Sequence, residues 1–273
     1  MSIQHSTSPA AIFGCLRAHR GLVWELVKRE FVGRYKGSFI GMAWSLLHPL
    51  LMLTIYTLVF SVAFKARWGT GDESKVTFAL VLFSGMIVYN LFVECLNRAP
   101  ALISSQPNYV KKVIFPLEIF PWVILLSALL HFLVSLGILL IFCIATGISL
   151  SVTILLIPII ILPVILIALG LTWLLASLGV YLRDISQGIG IICTVLLFLS
   201  PVFYKTNSFP EQYQIFFALN PLALPIEQLR GVLLFGEPVD WMSWAVSLLA
   251  GCVIVYLGFW WFQKSRKGFA DVI

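Results

Sequence analysis

Charged residues are scarce in this sequence, and two long stretches contain none at all. Only 11% of the 273 residues are Asp, Glu, Lys or Arg, whereas a soluble domain carries about a quarter. Residues 37–64 and 119–182 have no formal charge. Because about 20 apolar residues in a helix cross a bilayer, these stretches exclude an ordinary soluble domain. The composition predicts an all-α integral membrane protein.

Motifs for catalysis and nucleotide binding are also missing. The sequence has no GxxxxGK[ST] loop and no HExxH motif, and its aqueous loops offer no Ser-His-Asp set. The five cysteines show no metal-ligand spacing and are expected to be small apolar core residues. We therefore expect neither an enzyme nor a bound metal or cofactor. If the chain takes part in an ATP-driven process, the energy must come from another chain.

The uncharged stretches predict six transmembrane helices in one membrane domain, residues 37–264. The stretch at 119–182 is too long for one span and suits two helices. Turn-forming residues cluster at 146–149, where we expect the connection. The predicted spans cover about residues 38–64, 76–98, 118–146, 152–181, 185–203 and 241–263.

Residues 205–240 do not fit a simple span. Their longest uncharged run, residues 212–226, has 15 residues and contains Pro221 and Pro225. Runs of this length are more often interfacial or re-entrant, and prolines leave backbone groups that lipid cannot satisfy. We expect short re-entrant helices at the outer face.

The distribution of Lys and Arg predicts the orientation. With both termini cytoplasmic, the inside segments hold 13 of these residues and the outside segments five, Arg230 among them. This asymmetry follows the positive-inside rule. It predicts a multi-pass protein with both termini cytoplasmic and with residues 265–273 as a cytoplasmic tail. We expect the membrane to be the bacterial inner (cytoplasmic) membrane.

The segment before the first span has helical periodicity. Glu25 with Arg29, and Glu30 with Arg34, are spaced four apart in the favourable order. Within the cytoplasmic segment 1–36 we expect an amphipathic helix at the membrane surface. Such a helix either anchors the chain or also contacts a cytoplasmic partner.

The inside loop after span two is bounded by prolines. Pro107 can start a helix and Pro116 can end one, leaving about two turns. The loop carries Tyr109, Lys111 and Lys112. It is either an ordinary basic loop or a short helix that fits a groove in another protein.

Few polar groups lie inside the predicted spans. Glu94 and Arg98 are four apart near the inner end of span two, where an ion pair is expected. His131 and His48 are expected to be packed or hydrogen-bonded within the bundle. A proton relay is not favoured, because no second carboxylate accompanies either histidine.

Aromatic residues crowd the outer edge of the predicted bundle. Interfacial belts of this kind are common, although aromatic faces with polar tips also hold sugar rings. The residues are Trp68, Phe203, Tyr204, Phe209, Tyr213, Phe216, Phe217, Trp241 and Trp244.

Five segments resemble, in order, the ABC-2 type permeases that export polysaccharides such as lipopolysaccharide O-antigen, capsule and teichoic acid. Together they extend over nearly the whole chain, and Ile40, where many members carry Leu, is a conservative departure. The segments are RYKGSFIGMAW from Arg34 followed by Pro49, NYVKKVIFPLEIFP from Asn108, YLRDI from Tyr181, SPVFY from Ser200, and Asn220-Pro221 leading to IEQLR from Ile226.

The resemblance implies a homodimer of permeases with two copies of a separate ABC ATPase, which binds ATP and Mg²⁺. It implies a lipid-linked polysaccharide substrate, contact with membrane lipid and no nucleic acid. Spans one and five would line the channel, and residues 205–240 would form outer re-entrant helices. The residues implied to couple the permease to the ATPase are Pro107, Asn108, Tyr109, Lys111, Lys112, Arg183 and Asp184.

Aromatic residues on those two spans suggest a path for the substrate. Tyr56 and Phe60 are one helical turn apart and share a face. With Trp44 in span one, and Phe203 and Tyr204 after span five, they would form a rail for sugar rings.

Two other functions stay open at this level. One is an ABC-2 permease for a small drug or lipid. The other is a membrane-embedded glycosyl- or acyltransferase, which would need acidic or His residues in a cleft on one aqueous side. The predicted outside acidic residues share no common spacing.

Overall fold

The computed structural model describes residues 8–59, 75–111, 115–148, 150–182, 184–204, 210, 217 and 220–273. The regular elements of these residues are helices, as the composition predicted. The α-helices are α1 Pro9–Ala18, α2 Arg20–Gly33, α3 Trp44–Tyr56, α4 Lys75–Arg98, α5 Pro107–Val110, α6 Phe120–Ala145, α7 Ile157–Tyr181, α8 Ile185–Leu199, α9 Ala223–Arg230, α10 Trp241–Ser265 and α11 Phe269–Val272.

Five helical segments in the described part of the chain are long and apolar enough to cross a membrane. They are Gly41–Val59, Val76–Arg98, Leu117–Ala145, Val152–Tyr181 and Trp241–Val272. Six were predicted, and the difference is α8, which has only 15 residues. At 1.5 Å per residue it is about 22 Å long, against about 30 Å of hydrocarbon. It ends where Ser200 turns to an extended backbone, as a residue before proline prefers.

The connection between α6 and α7 lies where the turn was predicted. Helix α6 ends at Ala145, and Gly147 has φ of +77°. That left-handed conformation suits glycine, which has no Cβ. Residue 149 lies outside the described residues.

Helices α7 and α10 make the closest helix pair. A Cβ added to Gly258 would overlap the backbone carbonyl of Gly170, and one added to Gly170 would overlap that of Ile254. Small residues allow such close approach, which drives helix association in membranes. Beside this contact Trp173 is fully buried, with its ring centroid 6.0 Å from Trp122 and 5.0 Å from Phe259.

Burial differs strongly between the spans. Helix α4 lies at the centre of the core, whereas α3 and α8 leave much of their apolar surface uncovered. On α8 only Ile189 and Cys193 are fully buried. The uncovered residues of these two helices include Leu46, Leu50, Leu51, Ile55, Ile191, Ile192, Val195 and Phe198.

Helix α9 and the π-helical turn Gly231–Phe235 fill part of the segment predicted to be re-entrant. Arg230, which was counted among the basic residues of the outer segments, is buried rather than exposed. Its guanidinium donates hydrogen bonds to the carbonyls of Val81 at 3.2 Å and Val202 at 3.2 Å. The apolar side chains of α9 pack into the core and carry Arg230 with them. Most of residues 205–219 lie outside the described part.

The residues predicted as a cytoplasmic tail fold back onto the bundle. Phe269 on α11 is fully buried, with its ring 5.5 Å from Phe262 and 6.1 Å from Tyr181. Arg266 pairs with Glu118 and donates to the carbonyl of Phe115 at 2.7 Å. Burial of this aromatic ring and the ion pair hold residues 266–272 against the bundle.

Candidate functional site

The two loops that were predicted to contact an ATPase meet at one open groove. Gly179 at the end of α7 lies against Pro100 after α4, so closely that a Cβ on the glycine would overlap the Pro100 carbonyl. The groove has a volume of about 560 Å³. We call it the loop groove. Its lining residues are Pro100, Ala101, Ser104, Pro107, Gly179, Val180, Tyr181, Ser186, Val272 and Ile273.

Helix α5 begins at the edge of the loop groove and contributes Pro107 to its lining. Pro107 stands at its first turn, and the helix covers four residues rather than the two turns predicted. Pro107, Asn108 and Lys111 are exposed. Tyr109 instead packs on its own chain, with its ring 4.4 Å from that of Phe115. The exposed groups of α5 are therefore a proline, an amide and an ammonium, and Lys112 lies outside the described residues.

The connection between α7 and α8 also lines the loop groove. Asp184 is exposed and precedes the first turn of α8, while Arg183 lies outside the described residues. Tyr181 donates a hydrogen bond to the carbonyl of Ser265 at 2.9 Å. This bond ties the second loop to the C-terminal segment, so the segments that line the groove are joined to one another.

A second polar site joins α2, α4 and α6, and we call it the polar network. Glu94 pairs with Arg34, and its Oε1 lies 3.4 Å from Nη1 of Arg98. Arg98 also pairs with Glu30. His131 Nδ1 lies 3.4 Å from Glu94 Oε2. The structure thus brings together the predicted Glu94–Arg98 pair, but as part of a larger set.

The ion pairs predicted within α2 are absent from the described structure. Arg34 bonds to Glu94 rather than Glu30, and Glu25 bonds to Lys28 at 3.1 Å rather than to Arg29. Glu94 on α4 is better shielded from water than an exposed residue on α2. Opposite charges attract more strongly where water is excluded.

His131 is hydrogen-bonded within the bundle, as expected. Its Nε2 lies 3.1 Å from the Tyr35 hydroxyl, and its ring stacks on Phe31 at 4.8 Å. The pKa of Tyr35 is raised, chiefly because its hydroxyl is desolvated, and Glu94 adds to the rise while Arg34 opposes it. Tyr35 is therefore a neutral hydrogen-bonding group at physiological pH.

Helix α2 packs along α6 through its apolar face. Val23 and Val27 are buried against Ile119 and Val123. The contact with His131 lies about 18 Å beyond Ile119 along the α6 segment. The apolar face predicted to rest on lipid is thus covered in large part by protein, because α6 offers it a matching apolar surface.

The aromatic residues predicted as a substrate path fall into two groups. Trp44 is partly exposed and donates from its indole nitrogen to Ser38 Oγ at 2.9 Å. Tyr56 and Phe203 each pack against one apolar cluster of α4. Tyr204 bonds to the carbonyl of Phe198, and Phe60 lies outside the described residues. The described rings do not form one continuous row, since Trp44 and Tyr56 are about 18 Å apart along the helix.

A helical membrane bundle with a polar network among its spans and two loops joined at an exposed groove has the features of a transporter membrane domain. The sequence model of the ABC-2 type transporter family matches residues 21–234, and the chain belongs to this family.

The chain is similar over nearly its whole length to proteins named O-antigen export system permease protein RfbA. The relative from Myxococcus xanthus is 26% identical over 260 residues, which is 94% of this chain and 97% of that protein. Two relatives from Klebsiella pneumoniae are 21% and 22% identical over 249 residues, which is 91% of this chain and 93% of each of them.

Proposed function

We propose that this chain is the permease subunit of an ATP-driven exporter that moves a lipid-linked polysaccharide, with O-antigen as the leading candidate. The support is its membership of the ABC-2 family and its similarity, at nearly full length, to permeases named for O-antigen export. The observation that carries the proposal is the convergence of both loops on the loop groove.

The proposed partner is a separate ABC ATPase, which binds ATP and Mg²⁺ and docks at the loop groove. Pro107, Asn108 and Lys111 offer it contacts from the first loop, and Asp184 offers one from the second. Lys112 and Arg183 belong to the same proposal through the family resemblance. Because Gly179 and Pro100 hold the two loops in backbone contact, a push on one loop is transmitted to the other.

The proposed assembly has two permeases. Helices α3 and α8 leave apolar side chains uncovered, and a second copy of the chain would cover them and enclose a channel between the two subunits. In this assembly α8 and the residues that follow it complete a sixth span, and residues 205–240 form re-entrant helices. The proposed location is the inner membrane, and the charge distribution supports an orientation with both termini cytoplasmic.

The experiment is complementation. The gene is deleted from its host cells, and the chain is then returned to the deletion strain on a plasmid. We expect surface polysaccharide to reappear, measured by a glycan stain on intact cells and by gel electrophoresis of the extracted polymer. Lys111→Glu at normal membrane level should reduce export, whereas Lys28→Glu, an exposed lysine on α2, should not.

Two results would contradict the proposed function. One is polymer that remains inside the restored cells while the chain is present at normal level in the membrane. The other is unchanged surface polysaccharide in the deletion strain, accompanied by sensitivity to a drug or loss of a lipid from the outer leaflet. That second result would point to an ABC-2 permease for a small molecule.

A further inference from the structure

The most buried span exposes Asn90 between buried neighbours. Helix α4 is buried on both sides of Asn90, at Tyr89 and Leu91, yet Asn90 itself is exposed. It faces a cavity of about 270 Å³ between α3, α4 and α6. Its amide makes no hydrogen bond with any residue that the structure describes. Since an unpaired amide is costly against hydrocarbon, this cavity suits a polar occupant.

Two more polar side chains reach the same cavity. His48 on α3 and Ser135 on α6 line it, and neither has a hydrogen-bond partner among the described residues. The charged groups on its wall, Arg34 and Glu94, are paired with each other. The cavity therefore combines free donors and acceptors with charges that are already balanced.

A second hollow of about 410 Å³ adjoins the first and shares Arg34 and His48 with it. Its other lining residues are Tyr35, Ser38 and Trp44. Ser38 accepts the indole N–H of Trp44 at 2.9 Å, which fixes one edge of that ring. We call the two hollows together the polar cleft. Their joint volume falls in the range of about 300–1,000 Å³ that is usual for small-ligand sites.

We propose that the polar cleft binds sugar residues of the transported polymer. The inference rests on the proposed function and assigns it a recognition site. Sugar hydroxyls both donate and accept, as do Asn90, Ser135 and His48. The flat faces of Trp44 and Tyr35 suit the apolar face of a sugar ring. The second hollow, with Trp44 and Tyr35, would receive the ring face. The first cavity, with Asn90 and Ser135, would receive the hydroxyls.

Two other ligand chemistries fit the polar cleft less well. A phosphate needs surplus positive charge, but Arg34 and Arg98 are offset by Glu30 and Glu94. An apolar drug would leave Asn90 and Ser135 without partners, which a site built from polar groups disfavours. The mixture of free polar groups and neutral charge therefore selects a polyhydroxylated ligand.

The test is direct binding to the full chain in lipid nanodiscs. The ligands are oligosaccharides of two or three repeat units, released from the surface polysaccharide of the host cells by mild acid, and inorganic pyrophosphate. Binding is measured by saturation-transfer NMR and by titration of tryptophan fluorescence. We expect the wild type to bind the oligosaccharides and not pyrophosphate. Asn90→Leu should weaken that binding about tenfold, because it removes hydrogen bonds and leaves sugar hydroxyls unpaired.

The matched control is Asn97→Leu, since Asn97 is exposed on the same helix but does not line the polar cleft. Ser135→Ala, a smaller change, provides a second variant if Asn90→Leu does not accumulate. Binding of pyrophosphate alone, no binding by the wild type, or equal binding by Asn90→Leu and Asn97→Leu would overturn the inference.

Complementation separates this inference from the proposed function. If the wild-type chain restores surface polysaccharide and Asn90→Leu restores as much, export stands and the polar cleft is not its sugar site. If the wild-type chain restores none, the proposed function itself fails.

Discussion

The guanidinium of Arg34 pairs with the carboxylate of Glu94, and this contact joins the helix before the first span to the second span. Glu94 also contacts Arg98 and His131. Three helices thus meet at one carboxylate. Movement of α2, whose C-terminal end is followed by Arg34, is therefore coupled to α4 and α6 through the Glu94 carboxylate.

Removing that carboxylate should destabilise the fold measurably. Glu94→Gln keeps the size of the side chain but leaves Arg34 and Arg98 without their shared anion. The Glu94 side chain is 17% exposed, so we expect a cost of about 2 kcal/mol, between the values for surface and buried pairs. That corresponds to a fall in Tm of roughly 4–8 °C in detergent. The control is Glu25→Gln, whose side chain is 71% exposed, and equal Tm losses in the two variants would contradict the prediction.

The sequence alone does not predict that Arg34 pairs with Glu94, for a physical reason. Glu30 and Arg34 have the spacing of a helical ion pair, so the sequence alone favours a local partner. Burial beside α4 decides instead, and burial depends on contacts 60 residues apart along the chain. The same holds for Arg230, a charged residue that was counted in an outer segment but is buried in the fold.

Other features depend on local signals and were predictable. Long uncharged runs gave the positions of the spans, Gly147 marked a turn, and Pro107 marked a helix start. Asn90 was missed although a signal existed, since it lies one turn before Glu94 and shares its face. The polar cleft itself needs α3, α4 and α6 together, so no single segment of sequence reveals it.

The exposed groups of α5 should couple the permease to ATP hydrolysis. Asn108→Asp together with Lys111→Asp reverses the local charge at the loop groove without disturbing the core. We expect normal membrane level, continued ATPase activity in the purified complex and export reduced about tenfold. The measurement is polysaccharide exported per ATP hydrolysed in proteoliposomes. An unchanged ratio in this variant would rule out the first loop as the coupling contact.

Tyr109 should behave differently from its exposed neighbours. Its ring packs on Phe115 and Phe120, so Tyr109→Asp places a charge in an aromatic cluster and should lower the amount of folded protein. Loss of export in that variant reports on folding rather than coupling. The membrane level of each variant, measured by immunoblot, distinguishes the two effects.

The contact between α7 and α10 should tolerate no added atom at its centre. Gly258→Ala puts a methyl group into the Gly170 carbonyl, so the helices must separate and lose packing. We expect a cost of about 3 kcal/mol, in the range of overpacked cores. Gly137→Ala in α6 is the matched control, because no atom lies within 4 Å of its added Cβ. Helix propensity should make that change neutral or favourable by about 0.5–1 kcal/mol.

Thermal unfolding of both glycine variants in the same detergent measures this difference. A Tm for Gly258→Ala as high as that for Gly137→Ala would mean that α7 and α10 do not approach as closely as described.

The predicted orientation can be read by labelling introduced cysteines. Thr70→Cys and Gln214→Cys should react with a membrane-impermeant maleimide added outside spheroplasts, whereas Ser8→Cys should not. The native Cys15 should contribute little background, because burial, aided by Glu118, raises the pKa of its thiol to about 11. At pH 7.5 only a small fraction is thiolate, and reaction should accelerate as the pH rises. Strong labelling at position 8 in sealed spheroplasts would reverse the topology.

The aromatic rail remains a prediction that export kinetics can decide. Tyr56 and Phe203 each pack against the same buried cluster of α4. Each stacking contact with a sugar ring is worth about 1 kcal/mol, so losing one slows a step about fivefold. The substitutions Tyr56→Leu, Phe60→Leu and Tyr204→Leu keep bulk and remove the flat faces. Together they should lower the export rate well beyond tenfold at normal membrane level.

The control for the rail is Trp241→Leu, which removes an exposed ring at the start of α10 and away from both proposed channel helices. Export is measured as the rate at which radiolabelled sugar appears in surface polysaccharide after a short pulse. Leucine preserves hydrophobicity, so a belt that only rests against lipid would lose little in either variant. If the triple variant exports at the rate and chain length of Trp241→Leu, the rings act as an interfacial belt. A selective loss in the triple variant, with unchanged membrane level and Tm, would mean that the polymer slides along these faces.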